Sequence, residues 1–197
     1  MKGRCANCNT HISVRYPVIE AVTGVLSGLI AWQLGDPYPV LLALFFTWCL
    51  ISLTMIDADH QLLPDQITLP LLWAGLLVNS FGIFVPLADA FWGAVIGYLS
   101  LWCVYWAFKI ATGKEGMGYG DFKLLAALGA WMGWQSLLTV ILMSSLVGAV
   151  VGSVILVLNR QGRNTAIPFG PYLAAAGWIT LVWGDQIAAR YFQFVSP

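Results

Sequence analysis

Long apolar stretches separated by short polar breaks dominate the chain. A membrane-spanning helix needs about 20 mostly apolar residues, with a range of about 17–25. The breaks carry Gly, Pro and Asp residues that are typical of turns. The fifth and seventh stretches are short and would suit tilted, partial or re-entrant helices. The pattern therefore predicts seven membrane helices, at residues 17–35, 39–56, 66–85, 88–110, 121–135, 137–158 and 170–185.

Composition supports this interpretation. Of the 197 residues, 59% are hydrophobic and 9% are charged, whereas soluble domains carry about 25% charged residues. The formal net charge is zero, which leaves no basic field for nucleic acid. We therefore expect an all-α, polytopic integral membrane protein whose partner is the lipid bilayer. A polar stub, residues 1–16, would precede a transmembrane domain, residues 17–197.

The positions of the Lys and Arg residues predict the orientation. Cytoplasmic loops of membrane proteins carry an excess of these residues. Seven crossings leave Arg190 alone on one side of the membrane and place the other eight basic residues opposite it. The basic side is therefore expected to be cytoplasmic. Its residues are Lys2, Arg4, Arg15, Lys109, Lys114, Lys123, Arg160 and Arg163.

Two aspartates are candidate catalytic residues in this topology. Asp57 lies in MIDADHQLLPDQIT, after the second predicted helix, and Asp121 follows GMGYG before the fifth. Both would emerge near the cytoplasmic boundary, where carboxylates are expensive and usually face protein or water-filled space. Two carboxylates brought together can share one proton, so that one acts as a base and the other as an acid. That is aspartic-protease chemistry, which requires no metal or cofactor.

Structural roles for these acids compete with the catalytic one. Asp is a preferred N-cap residue, so Asp121 could simply cap the fifth helix, and Asp65 is expected to cap the third. Asp59 lies about 200° from Asp57 around a helix. Only one of them can then face the interior, and we favour Asp57, with Asp59 at solvent or headgroups.

Other residues are candidates for substrate contact or pairing. Glycines before Asp121 would permit a bend and close approach of a substrate strand. Glu20, an acid inside the first predicted helix, is either functional or a partner of Arg15 or Lys123. The PFGP segment is either a loop or unwound backbone that pairs with substrate. The loop and substrate candidates are Gly118, Tyr119, Gly120, Pro168, Gly170 and Pro171.

The segments IDADHQLLPDQITLPLLWAGLL and KEGMGYGDFKLLAALGAW closely resemble the type IV prepilin peptidases, and the resemblance extends over essentially the whole chain. It implies a GxGD-type aspartic protease of the bacterial inner membrane, with Asp57 and Asp121 as the catalytic pair. The implied reaction removes the basic leader of type IV prepilins, and of the pseudopilins of type II secretion, after a glycine on the cytoplasmic side. Many members then methylate the new N-terminus with S-adenosylmethionine.

The polar stub holds one C-x-x-C pair, Cys5 and Cys8. Structural zinc takes four ligands, of which His11 would be a weak third. The resembled family has two such pairs, preceded by a further helix, and this chain begins near the second pair. We therefore expect a partial zinc site and little methyl transfer. A redox role is disfavoured because no thioredoxin-like pattern surrounds the pair.

Two other function classes compete with the protease. A proton-coupled transporter would use Asp57, Asp121 and Glu20 as a relay. These acids cluster at one face, however, and the internal repeat of many transporters is absent. A structural membrane subunit would use the aspartates only as caps. The oligomeric state, including a homo-oligomer, and the identity of the prepilins stay open.

Overall fold

The computed structural model describes residues 3, 7–8, 10–11, 13–159 and 168–195 of the chain. Within these ranges the chain folds into seven α-helices, as the apolar pattern predicts, and a 3-10 turn at Trp134–Ser136. The all-α prediction is therefore confirmed. The helices are α1 Arg15–Leu34, α2 Pro37–His60, α3 Asp65–Ser80, α4 Leu87–Thr112, α5 Tyr119–Met132, α6 Leu137–Asn159 and α7 Gly170–Val195.

Four spans among the described residues are long and apolar enough to cross a membrane: α1, α2, α4 and the stretch Trp134–Val154 that contains most of α6. By contrast, α3 has 16 residues and α5 has 14. At about 1.5 Å per residue, both are shorter than the hydrocarbon core of about 30 Å. The short fifth helix agrees with the expectation of a partial span. The expectation that the seventh helix is short is wrong, because α7 has 26 residues and continues to Val195, ten residues past its predicted end.

Contacts within the chain divide it into two compact units, Met1–Trp48 and Cys49–Pro197. The first unit contains α1 and the first half of α2, where the indole N–H of Trp48 donates to the Ser27 hydroxyl at 3.2 Å. The second unit contains the remaining helices and both candidate catalytic aspartates.

The centre of the second unit is α5. It packs against α3, α4, α6 and α7, and 11 of its 14 residues are buried, as expected for a helix that is apolar all round. Close approach to α4 depends on small residues. Gly93 lies against the backbone of Gly129, and a Cβ on Gly97 would come 2.7 Å from the carbonyl oxygen of Leu125.

A buried amide fixes the end of α3. The side-chain NH₂ of Asn79 donates to the carbonyls of Ala130 and Trp131 at 2.8 and 3.1 Å. Its oxygen accepts the backbone N–H groups of Phe84 and Val85, each at 3.1 Å. Because the side chain supplies these bonds, the chain can leave the helix and turn here. The helix therefore ends five residues before its predicted limit.

Candidate active site

Asp57 lies in the last turn of α2, which continues to His60, four residues past its predicted end. Both acids of the IDAD segment are therefore on the helix, and their angular separation decides their environments. Asp57 is 5% exposed, whereas Asp59 is exposed, as the helical phase predicts. Oδ2 of Asp57 accepts the backbone N–H of Gly170 at 3.0 Å.

Asp121 is the third residue of α5, which begins at Tyr119 rather than at Asp121 as predicted. Its side chain is also buried, at 7% exposure. Oδ2 accepts the N–H of Gly118 at 3.3 Å, and the N–H of Asp121 donates back to the Gly118 carbonyl at 3.2 Å. The alternative role of Asp121 as the N-cap of this helix is wrong, because Gly118 occupies the N-cap position. From the third position of the helix, Asp121 accepts the N–H of that residue through one carboxylate oxygen.

The two aspartates share one environment. Both line a cavity of about 1080 Å³, and they are close enough to interact through their charges. Because two negative charges repel each other, such a pair favours the state in which the two carboxylates hold a single proton between them. An arrangement of this kind can supply an acid and a base at one cavity.

Leu63 connects the segments that carry the two aspartates. It is 6% exposed, in the short connection after α2. A Cβ on Gly120 would come 2.6 Å from the Cβ of Leu63, and a Cβ on Gly170 would come 3.2 Å from its Cδ1. The two glycines therefore leave the space that Leu63 fills. The sequence gives no local signal for this contact, and we did not predict Leu63 as a site residue.

A polar cluster on α4 anchors the loop before α5. Lys109 donates to Glu115 at 2.8 Å and to the Tyr105 hydroxyl at 3.1 Å. The Tyr119 hydroxyl lies 3.3 Å from that of Tyr105. The hydrogen bond from Lys109 holds the pKa of Glu115 below its ordinary value. The cluster thus holds the loop at residues 113–118 against α4.

The predicted capping role of Asp65 is wrong. Pro64 occupies the N-cap position of α3 without a side-chain hydrogen bond. Asp65 instead accepts two hydrogen bonds from the ammonium of Lys123, at 2.6 and 2.8 Å. Lys123 lies on the first turns of α5, and its position beside α3 makes this pair available.

The other predicted residues are distributed as follows. Gly118, Tyr119, Gly120 and Pro168 line the cavity with the aspartates. Gly170 and Pro171 begin α7. Glu20 is exposed on α1, in the first unit, and Lys123, one of its two predicted partners, bonds Asp65. Phe169 and Gln61 also line the cavity, although we did not predict them.

The predicted zinc ligands give no complete site in the described part of the chain. Cys5 lies outside the described residues, and the thiol of exposed Cys8 is 3.2 Å from the Thr10 hydroxyl. Among described residues, no group of three or more His, Cys, Asp or Glu side chains could hold a metal ion. A complete zinc centre would therefore need ligands beyond them.

The fold and the cavity define a class: helical membrane proteins with a buried carboxylate pair. A profile of the type IV leader peptidase family matches residues 44–153, and a profile of the bacterial peptidase A24 N-terminal domain matches residues 1–34. The chain belongs to the type IV leader peptidase family. No solved structure gives a significant match.

Named relatives agree with this assignment. The chain is 59% identical to the prepilin leader peptidase/N-methyltransferase of Stutzerimonas stutzeri and 58% identical to that of Pseudomonas aeruginosa, each over 194 residues. It is 46% identical over 196 residues to the protein of the same name from Xanthomonas campestris. The alignments cover 98–100% of this chain and 67–68% of each relative.

Proposed function

We propose that Asp57 and Asp121 are the catalytic pair of this membrane-embedded aspartic endopeptidase. Its proposed substrates are type IV prepilins and pseudopilins, whose basic leader it removes after a glycine. One observation carries the assignment of the residues: two carboxylates from separate helices are buried at one cavity and interact through charge. The relatives named prepilin leader peptidase support the substrate class.

The pair divides the acid and base work of peptide hydrolysis. The ionised carboxylate takes a proton from water as the water oxygen attacks the scissile carbonyl carbon, and the protonated one gives its proton to the carbonyl oxygen. The tetrahedral intermediate then breaks its C–N bond. The carboxyl that took the proton from water now gives it to the leaving nitrogen. The other carboxylate takes a proton from a hydroxyl of the intermediate, so the pair ends with the single proton it started with.

Backbone donors support these roles. Gly170 donates to Oδ2 of Asp57 and Gly118 donates to Oδ2 of Asp121. A hydrogen bond to a charged oxygen is stronger than one between neutral groups, and it orients the carboxylate that accepts it. Each aspartate is thereby held by the backbone of a second segment.

The test replaces each carboxylate by its amide. Asp57→Asn and Asp121→Asn keep the shape but cannot exchange the proton, so each should lower the rate of prepilin cleavage by at least about 10²-fold. Asp59→Asn is the matched control, because Asp59 lies two residues from Asp57 and is exposed. Cleavage is measured by the mass shift of a purified prepilin in detergent. An active Asp121→Asn enzyme would overturn the assignment.

We further propose that the protein lies in the bacterial inner membrane with its active site towards the cytoplasm. The cavity is lined by the segment after α2 and by the loop before α5. Both segments belong to the side that the distribution of Lys and Arg predicts to be cytoplasmic. A leader that stays in the cytoplasm could reach the cavity without crossing the bilayer.

A separate proposal concerns zinc, S-adenosylmethionine and the N-methylation of the product. We propose that the 197-residue chain by itself cleaves prepilin with little N-methylation of the product. It carries one C-x-x-C pair, and two thiolates should bind zinc more weakly than four, because metal binding supplies the folding energy of such a site.

Mass spectrometry of the mature N-terminus, after incubation with S-adenosylmethionine, tests this proposal alongside zinc analysis. The expected product is cleaved and unmethylated. Stoichiometric methylation by the chain alone, without zinc, would contradict it.

A further inference from the structure

We propose that the segment Leu63–Asp65 is a clamp that sets the positions of both catalytic carboxylates. Leu63 acts by packing, and Asp65 acts through its ion pair with Lys123. Leu63, Asp65 and Lys123 are positioning residues, because they act through Asp57 and Asp121. The inference rests on the proposed function, which assigns those two aspartates as the catalytic pair.

Packing by Leu63 is the first half of the clamp. Its side chain is buried between Gly120, the residue before Asp121, and Gly170, whose N–H donates to Asp57. Leu63 also follows Asp57 by six positions in the chain, just after α2 ends. A displacement of Leu63 would therefore loosen the backbone beside both carboxylates.

The ion pair is the second half. Asp65 is the first residue of α3, and Lys123 is two residues after Asp121 on α5. Both oxygens of Asp65 accept hydrogen bonds from the Lys123 ammonium, at 2.6 and 2.8 Å. The pair thus fixes the start of α3, directly after Leu63, to the turn of α5 that carries Asp121.

The partial exposure of the pair distinguishes positioning from stabilisation. The side chains of Lys123 and Asp65 are 28% and 53% exposed, and ion pairs in such surroundings contribute little to stability. Catalytic geometry is more sensitive, because a misplacement of about 1 Å can cost about 10²-fold in rate. Loss of the pair should therefore lower kcat more than it lowers the melting temperature.

The first experiment removes the packing. In the full chain, purified in detergent, Leu63→Ala should lower kcat for prepilin cleavage by about tenfold to a hundredfold with little change in KM. A residue that only contacted substrate would raise KM instead. The control is Leu77→Ala. Leu77 lies on α3 and is 65% exposed, so this variant should keep the wild-type kcat. Wild-type kcat in Leu63→Ala would overturn the role of Leu63.

The second experiment tests the ion pair with charge variants. Lys123→Met and Asp65→Asn should each lower kcat, and Lys123→Arg should keep most of it. The double variant Asp65→Lys, Lys123→Asp should lose less activity than the two reversals made singly would predict together. Additive losses would overturn the pair. This cycle also decides the proposal if Leu63→Ala fails to fold.

Amide hydrogen exchange separates failure of the clamp from failure of the proposed function. Peptides that cover residues 118–123 and 170–173 should exchange faster in Leu63→Ala than in wild type, and at the wild-type rate in Leu77→Ala. Unchanged exchange in both segments would overturn the clamp even if the enzyme cleaves prepilin. An inactive wild-type chain with the expected exchange pattern would overturn the function and keep the clamp.

Discussion

At the scale of single residues, position 170 has no room for a side chain larger than that of glycine. A Cβ at this position would lie 2.6 Å from Oδ2 of Asp57, the oxygen that accepts the Gly170 N–H. Gly170→Ala should therefore displace the Asp57 carboxylate and lower kcat by about tenfold or more. Gly28→Ala on α1 is the control, because a Cβ there meets nothing within 4 Å. Equal kcat values in the two variants would contradict the prediction.

At the same scale, the ion pair of Glu115 should make the stability of the loop before α5 depend on pH. Its pKa is lowered by the hydrogen bond from Lys109, so the folded state gains from the ionised form. That gain is present above the ordinary Glu pKa of about 4.3 and is lost as the pH falls through the lower folded value. Glu115→Gln should therefore speed amide exchange at residues 113–118 at neutral pH.

The ratio of exchange rates between Glu115→Gln and wild type is the quantity to measure. It should approach one at acid pH, where wild-type Glu115 is protonated, and also at high salt, because the exposed pair is screened. A ratio that is independent of pH would show that the carboxylate does not hold the loop.

At the scale of elements, the crossing of α4 and α5 depends on glycine. A methyl group on Gly93 would collide with the backbone of Gly129, which cannot move aside as a side chain could. Gly93→Ala should destabilise the protein by about 1–3 kcal/mol, the usual cost of overpacking. Thermal unfolding in detergent measures the effect. Ile96→Ala, at a 42% exposed position of α4, should unfold close to wild type.

The sequence predicts the helices better than the contacts between them. Apolar runs identify all seven helices because such runs are a local feature of the sequence, although only four of the described spans are long and apolar enough to cross a membrane. The environments of Asp57 and Asp59 follow from helical phase, which is also local. The partner of Asp65 is not predictable in this way, since Lys123 lies 58 residues further along the chain. Without that partner in view, a preferred N-cap residue next to Pro64 is naturally interpreted as a cap.

At the scale of the whole molecule, the proposed orientation gives a labelling pattern. With Cys5, Cys8, Cys49 and Cys103 replaced, single cysteines at Gln66 and Phe81 would report the two ends of α3. Both positions are exposed. An impermeant maleimide added to spheroplasts should label Phe81→Cys, and should label Gln66→Cys only after the membrane is opened. The reverse pattern would overturn the cytoplasmic assignment of the active site.

The hydrogen bond between Gly170 and Asp57 also has a consequence for the order of synthesis. Its two ends lie 113 residues apart in sequence, and Asp121 is made between them. A ribosome that has released α2 and α5 into the membrane has produced both aspartates, but not the donor that orients the first. The nascent protein should thus have no proteolytic activity until α7 is made and inserted. Neighbouring membrane proteins would then be exposed only to the finished enzyme.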